Sequence, residues 1–208
     1  EKLGVHDGGF TPFAFEVSGR LRPSGNSLVV AVDNARKPDR IPAMDFDWFN
    51  YGGITRPVHL LSLPNAYVHD ARLWFEDGAA PMLRIETRIE GVAAGTPVRI
   101  ALPELRTSVE LRTDADGIAR GDMPLPPTLR RWSPEDPILY RAEVSIECDR
   151  IEERIGLRTI AVSGGELLLN GTSIYLKGIS LHDERFGPDG GRPRNHGVVQ
   201  ALLREAKA

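Results

Sequence analysis

The sequence predicts a mainly β protein built from β-sandwiches, and three observations lead to this fold class. Apolar or alternating segments of strand length recur along most of the 208 residues, and 21 glycines and 16 prolines separate them. A helical pattern of apolar residues stands out only near the C-terminus. Short strands joined by frequent turn residues are typical of antiparallel sandwiches, because each reversal of the chain needs turn geometry. The overall composition, 41% hydrophobic and 26% charged, is that of an ordinary globular protein.

The first part of the chain predicts an incomplete sandwich over residues 1–63. Each predicted strand there is a short apolar segment followed by turn residues. These predicted strands are Phe13–Val17, Ser27–Val32 and Val58–Leu63.

Residues 64–163 predict a complete, smaller sandwich of the immunoglobulin-like type. In the clearest strand, Leu83, Ile85, Thr87 and Ile89 share one face, because successive side chains of a strand point to opposite sides. The other strands predicted here are Ala66–Phe75, Val98–Leu102, Ser108–Leu111, Leu139–Ile146 and Ile151–Ile160, with a tight turn at Asp149-Arg150 and an edge or connecting segment at Met123–Pro127. An immunoglobulin-like sandwich needs about 100 residues and about seven strands, which this region supplies.

Residues 164–208 predict the opening of an α/β domain. A hairpin through Asn170-Gly171 joins two short apolar strands, Leu167–Leu169 and Ile174–Leu176. The apolar run Tyr175–Ile179 is typical of a buried parallel strand. The helix expected after it begins near Asn195, a good N-cap residue, and carries apolar residues at helical spacing.

Charge and cysteine content exclude several classes of function. The 26 basic and 29 acidic residues give a net charge of −3, so no basic excess attracts nucleic acid or acidic lipid. No apolar run reaches the roughly 18 residues of a membrane span. With Cys148 alone, a disulfide framework and a thiolate metal site are both excluded. The glycine-rich segment Gly187–Gly191 lacks the lysine context of a phosphate loop.

Three segments carry residues suited to a sugar site, and each has a structural alternative. Asp47–Gly53 interleaves aromatic rings with polar side chains, as sugar recognition requires, but a core-packing loop would have the same composition. His182-Asp183-Glu184 follows a predicted strand, where it is either a solvated strand end or part of a site at the mouth of an α/β barrel. Trp132–Pro137 is either a sugar platform or, as its prolines favour, a rigid corner.

Taken together, these segments resemble the sugar-cleaving enzymes of glycoside hydrolase family 2, the family of β-galactosidases, β-glucuronidases and β-mannosidases. The Asp47 segment, D-W-F-N-Y-G-G-I-T-R-P-V, is most similar to the β-glucuronidase branch. The segments that carry the resemblance, in chain order, are His6–Phe13, Asp47–Val58, Trp132–Tyr140 (W-S-P-E-D-P-I-L-Y), Ile155–Ile160 and a run from Leu169–Gly171 through Leu176–Gly178 to His182-Asp183.

The resemblance implies a jelly-roll sugar-binding domain, an immunoglobulin-like sandwich and the start of a (β/α)₈ barrel. It implies retaining hydrolysis of a β-glycoside by two glutamates about 5–5.5 Å apart. In the family, the acid/base glutamate follows an asparagine, and this chain has no Asn-Glu dipeptide. The chain is therefore expected to be a fragment without catalytic residues, and no hydrolysis is expected from it alone.

Two substrate-binding residues follow from the resemblance, Asp47 and His182, whose family counterparts contact the sugar. Asp183 stands where relatives usually have Glu, which leaves its role open. Arg56 and Arg158 are expected in buried structural ion pairs.

The resemblance implies a carbohydrate substrate as the partner, and neither nucleic acid nor a membrane. It also implies that the parent enzyme is a homo-oligomer. No cofactor is implied for this portion, although the family leaves room for a divalent or sodium ion in the parent's barrel. The alternative function is a stand-alone carbohydrate-binding or adhesion module of two sandwiches. Localisation stays open.

Overall fold

The computed structural model describes residues 1–41, 43–45, 50, 52–54, 56–180 and 196–207. It divides into two compact units. One spans Leu60–Leu181, and the other combines Glu1–His59 with His182–Ala208. All the described strands lie in the first of these units.

Ten strands form three antiparallel sheets in the Leu60–Leu181 unit. They are β1 (Tyr67–Glu76), β2 (Met82–Glu90), β3 (Pro97–Leu102), β4 (Thr107–Arg112), β5 (Ile118–Pro124), β6 (Tyr140–Ser145), β7 (Arg150–Ile155), β8 (Ile160–Ser163), β9 (Glu166–Leu169) and β10 (Thr172–Ile174). The strand orders are β1-β2-β5, β4-β3-β6-β7 and β10-β9-β8. A 3-10 turn, Pro103–Leu105, joins β3 to β4.

The first two sheets enclose one hydrophobic core, so β1–β7 form a two-sheet sandwich. This confirms the predicted mainly β fold class. The alternation of β2 is realised as expected, since Leu83, Ile85, Thr87 and Ile89 are all buried. Thr87, the polar member of this face, is satisfied because its hydroxyl donates a hydrogen bond of 2.8 Å to the carbonyl oxygen of Asp70. The rest of the buried cluster is Val68, Val98, Ile100, Leu102, Ala119, Met123, Leu125, Tyr140, Ala142, Val144 and Leu157.

The outward face of the β1-β2-β5 sheet is covered by charged side chains that pair across strands. Arg84 on β2 forms ion pairs with Glu76 on β1, at 2.7 Å, and with Asp122 on β5. The hydrogen bond to Arg84 holds the pKa of the Glu76 carboxyl below its ordinary value. Arg120 bonds Glu86 in the same way, at 2.8 Å. These groups keep this face of the sheet in water.

The structure corrects the prediction from the sequence at three points in the sandwich. Strand β5 was missed except for its last two residues, which lie in the predicted edge or connecting segment Met123–Pro127. The turn between β6 and β7 is Ile146–Asp149 rather than Asp149-Arg150, since Ser145 already pairs with Arg150. The single strand expected over Ile151–Ile160 is two strands, separated by the residues that pack against Trp132.

Residues 1–66 contain no strand in their described part, so the predicted strands Phe13–Val17, Ser27–Val32 and Val58–Leu63 are not formed. A strand requires ladder hydrogen bonds to a neighbour, and these segments make none. Their apolar side chains stay exposed as a result, to 89% at Val29 and 73% at Leu60.

The segment Tyr175–Ile179 is not a buried strand either. It continues from β10 without a described partner strand, and the side chain of Tyr175 is 86% exposed. The expected helix is present as α1 (His196–Lys207), whose Leu202 is half-buried, while Asn195 lies outside the described residues. Among the described residues, no helix is long and apolar enough to cross a bilayer.

Candidate functional site

The two predicted sugar contacts, Asp47 and His182, both lie outside the described residues, as do Asp183 and Glu184. The structure does describe the chain on the C-terminal side of Asp47 from Asn50 and the path toward His182 as far as residue 180. The described residues nearest to Asp47 in sequence show how the segment that follows it is held.

A reciprocal pair of hydrogen bonds ties Asn50 to Asn34, sixteen positions earlier. The Asn34 side-chain amide donates to the carbonyl oxygen of Asn50 at 2.8 Å, and the Asn50 side-chain amide donates to the carbonyl oxygen of Asn34 at 2.5 Å. Each asparagine thus satisfies the backbone of the other. The contact fixes the segment that follows Asp47 on the segment around Asn34.

Two glycines that follow Asn50, Gly52 and Gly53, constrain the same segment in different ways. A Cβ on Gly52 would lie 3.3 Å from the Asn34 side-chain nitrogen, so a larger residue would crowd the pair. Gly53 has φ +89°, a conformation that L side chains rarely adopt. Both glycines belong to the motif that predicted the sugar site, whereas Asn34 belongs to none of the motifs. No local pattern could have found Asn34, because its partner is distant in sequence.

The earlier motif, His6–Phe13, also has a defined local structure. The His6 ring stacks on Phe13 with centroids 4.6 Å apart, and its Nε2 lies 3.0 Å from the Thr11 hydroxyl. Asp7 forms an ion pair with Arg40, and this contact raises the pKa of the Arg40 guanidinium above its ordinary value. The motif is therefore held by contacts within itself and by one ion pair to Arg40, seven positions before Asp47 in sequence.

The Trp132 segment is a hydrogen-bonded corner. The Ser133 amide donates to the carbonyl oxygen of Asp136 at 3.1 Å, and the Asp136 amide donates to the Ser133 hydroxyl at the same distance. The Arg130 guanidinium forms an ion pair with the Asp136 carboxylate and donates hydrogen bonds to it. The Arg158 guanidinium lies 5.0 Å from the centroid of the Trp132 ring. Because Arg158 occupies one ring face, the structure favours the rigid corner over the sugar platform.

The expectation of buried ion pairs at Arg56 and Arg158 is wrong. Both residues are exposed. Arg158 stacks on Trp132 instead, and it donates a hydrogen bond of 3.2 Å to the carbonyl oxygen of Gly156. An aromatic ring and a carbonyl can hold a guanidinium at the surface without removing its charge from water.

The titratable groups in the described ranges do not form a metal or acid/base centre. No group of three His, Cys, Asp or Glu residues is placed to hold a metal ion there. A surface depression is lined by Asp70, Arg72, Glu86 and Arg88, but Arg72 already pairs with Asp70 at 3.2 Å and with Glu86 at 3.4 Å. Two of its carboxylates are thus already paired with an arginine.

Known proteins resemble this chain in sequence and in structure. The chain matches no protein-family model. It is 31% identical to a β-galactosidase of Arthrobacter sp. (strain B7) over 182 residues, and 25% identical to a β-glucuronidase of Paenibacillus borealis over 218 residues. Each match covers 88% of this chain, but only 17% and 34% of the respective relative. The chain therefore spans between about a sixth and a third of the length of these relatives.

A solved structure supports the same relationship. The β-glucuronidase from Ruminococcus gnavus in complex with D-glucuronic acid superposes with a TM-score of 0.65 at 28% sequence identity, over 78% of this chain and 28% of that one. These relatives are the kinds of enzyme that the sequence motifs resemble. The resemblance is confirmed: the chain is related to part of the β-galactosidases and β-glucuronidases, the sugar-cleaving enzymes of glycoside hydrolase family 2.

Proposed function

We propose that the chain is the non-catalytic N-terminal portion of a retaining β-glycosidase that hydrolyses a β-galactoside or a β-glucuronide. The observation that carries the proposal is the agreement between motifs and relatives. The sequence presents the family's motifs in the family's order, and β-galactosidases and β-glucuronidases match 88% of its length.

In this proposal, Asp47 and His182 bind the hydroxyl groups of the sugar. A carboxylate suits this role because its two oxygens accept hydrogen bonds from neighbouring hydroxyls. The reciprocal Asn34–Asn50 contact supports the role of Asp47, since it fixes the backbone three residues further on. Preorganisation of this kind lowers the entropic cost of binding.

The catalytic step is assigned to residues beyond this chain. Retaining hydrolysis needs a nucleophilic carboxylate and an acid/base carboxylate about 5–5.5 Å apart. The family's Asn-Glu sequence does not occur here. The chemistry draws on these two carboxylates and requires no organic cofactor. The parent enzyme is proposed to act as a homo-oligomer on a carbohydrate substrate.

The test compares the full-length gene product with the 208-residue chain on aryl β-galactosides and aryl β-glucuronides. We expect the full-length protein to hydrolyse one of them and the chain alone to hydrolyse neither. In the full-length protein, Asp47→Ala should raise KM at least tenfold, while Asp45→Ala, an exposed aspartate two residues away, should leave it unchanged.

Three outcomes would overturn parts of the proposal. Hydrolysis by the isolated chain would contradict its non-catalytic role, and equal effects of the two aspartate variants would remove Asp47 from the site. Micromolar binding of a sugar by the isolated chain, combined with an inactive full-length protein, would favour the stand-alone carbohydrate-binding module instead.

A further inference from the structure

Three segments that are distant in sequence meet at one point, which we call the Trp132 joint: Trp132, the link Gly156–Thr159 between β7 and β8, and Asn170 in the turn between β9 and β10. The Trp132 amide donates to the carbonyl oxygen of Leu157 at 2.9 Å, and the Trp132 carbonyl accepts from the Asn170 side-chain amide at 3.0 Å. Both polar backbone groups of Trp132 are thus used to join other segments.

Asn170 makes most of the hydrogen bonds in the joint. Its side-chain oxygen accepts from the Thr159 amide at 3.1 Å, its own amide donates to the Thr159 carbonyl at 3.0 Å, and its side-chain nitrogen donates to Trp132. The residue has φ +51° and precedes Gly171 at φ +81°, so the two form the tight turn of the hairpin. One asparagine therefore shapes the turn and also fastens it to two other segments.

The side chains around Trp132 fit the same arrangement. A Cβ on Gly156 would lie 3.0 Å from the indole ring, so only glycine lets the link pass this close to Trp132 without displacing it. Arg158 covers a face of the ring at 5.0 Å. Leu157, between them, is buried in the sandwich core, and this connects the joint to that core.

We propose that Asn170 is a positioning residue, which holds the β8-β9-β10 sheet, and with it the start of the chain that leaves β10, on the sandwich. All four residues of β8 are exposed, and the buried side chain of this sheet is Leu169, which directly precedes Asn170. The kinetic part of the proposal rests on the proposed function, because the position of this sheet affects catalysis only if the parent protein is a β-glycosidase.

Two variants separate the shape of the turn from the bridge that the side chain makes. Asn170→Gly keeps the positive φ and so preserves the hairpin, but it removes both side-chain bonds. Asn170→Asp keeps the acceptor for the Thr159 amide, and it places a carboxylate oxygen where the donor to the Trp132 carbonyl was. Ser173→Ala, on the exposed face of β10, is the matched control.

The first measurement is amide hydrogen exchange in the 208-residue chain. In Asn170→Gly, the Thr159 amide should exchange about tenfold faster, the effect of losing one net hydrogen bond. In Asn170→Asp, the Thr159 amide should keep its protection, while the amides of β8 lose theirs in both variants. Unchanged exchange of Thr159 and β8 in Asn170→Gly would overturn the joint itself.

The second measurement is steady-state kinetics of the full-length protein with each variant. Loss of positioning should raise KM severalfold in Asn170→Gly with little change in kcat, while Ser173→Ala matches the wild type. Faster exchange with an unchanged KM would overturn the positioning role. A full-length protein that hydrolyses no β-glycoside would contradict the proposed function instead, and the exchange data would still decide on the joint.

Discussion

The phenol oxygen of Tyr140 bonds both backbone groups of Arg130, ten residues earlier in the chain. It accepts a hydrogen bond from the Arg130 amide at 2.9 Å and donates one to the Arg130 carbonyl at 3.0 Å. Tyr140 is the first residue of β6 and is buried. The bond closes the corner segment that runs from β5 to β6, the same segment that carries Trp132. Immunoglobulin-like sandwiches use a buried tyrosine in a similar way.

Tyr140→Phe should lower the free energy of unfolding by about 1–3 kcal/mol, because two partly buried backbone groups lose their partner. Urea denaturation of the 208-residue chain measures the change. Tyr175→Phe, at an exposed tyrosine, is the control and should have no effect. An equal response of the two variants would show that the corner is held by other contacts.

Gly117→Ala should destabilise the sandwich far more than Gly95→Ala. Both glycines have positive φ, +74° and +84°, so both variants bear the same conformational strain. Only at Gly117 would the new Cβ overlap the carbonyl oxygen of Ile89, whereas the space around Gly95 is open. We expect Gly95→Ala to lower the free energy of unfolding by about 1 kcal/mol, from conformational strain alone. Gly117→Ala should lower it by several kcal/mol, because the backbone must also be displaced. Thermal unfolding of the paired variants provides the comparison, and equal midpoints would refute it.

Leu83→Ala should cost about 2–5 kcal/mol of unfolding free energy, since it leaves a cavity between the two sheets. Leu83 has no exposed surface, whereas Leu176 is 71% exposed. The control Leu176→Ala should therefore change the stability of the sandwich by less than about 0.5 kcal/mol. Chemical denaturation followed by tryptophan fluorescence measures both, and a large effect at Leu176 would show that the residue is covered in solution.

The stability of the sandwich should fall in acid, and Asp114 should account for part of this fall. The Ile118 amide donates to the Asp114 carboxylate at 2.9 Å, and with a second bond from the Asp116 amide it holds the pKa of Asp114 below its ordinary value. A lowered pKa stabilises the folded state above the ordinary value of about 4 and loses that contribution as the pH falls toward the lowered one.

In Asp114→Asn, the amide oxygen still accepts hydrogen bonds but cannot titrate. The decline in unfolding free energy between pH 6 and pH 3 should therefore be shallower than in the wild type, as measured by urea denaturation across this range. Asp116→Asn, which changes a neighbouring carboxylate outside the turn's side-chain bonds, should keep the slope of the wild type. A slope that does not change in Asp114→Asn would assign the acid sensitivity to other groups.

Sequence patterns predicted the strands of the sandwich well where one face of a strand is exposed to solvent and the other is buried. The strands β2, β3 and β4 were found to within one or two residues, because their alternation follows directly from burial on one side. Alternation failed for β5, an edge strand whose glycine and charged residues hide its period. It also failed for Phe13–Val17, where apolar residues occur without a neighbouring strand to pair with.

The candidate site was predictable only as far as its motifs are local. The sequence drew attention to Trp132, Arg158 and Asn170 in three separate segments, but it gave no sign that they touch. The partners of Asn50 and Asn170 are distant backbone groups, and such contacts leave no periodic trace. Arg158 was misjudged for the same reason: its partner is an aromatic ring that sequence separation conceals.

The edges of the sandwich have a consequence for solubility. The outer strand β5 ends at Pro124, and Pro126 and Pro127 follow, so the end of this edge offers no amide donor at these three positions for an added strand. The opposite sheet ends at β7, whose exposed Glu152, Glu153 and Arg154 would have to be desolvated by any strand that paired there. Such edges resist intermolecular β-sheet growth.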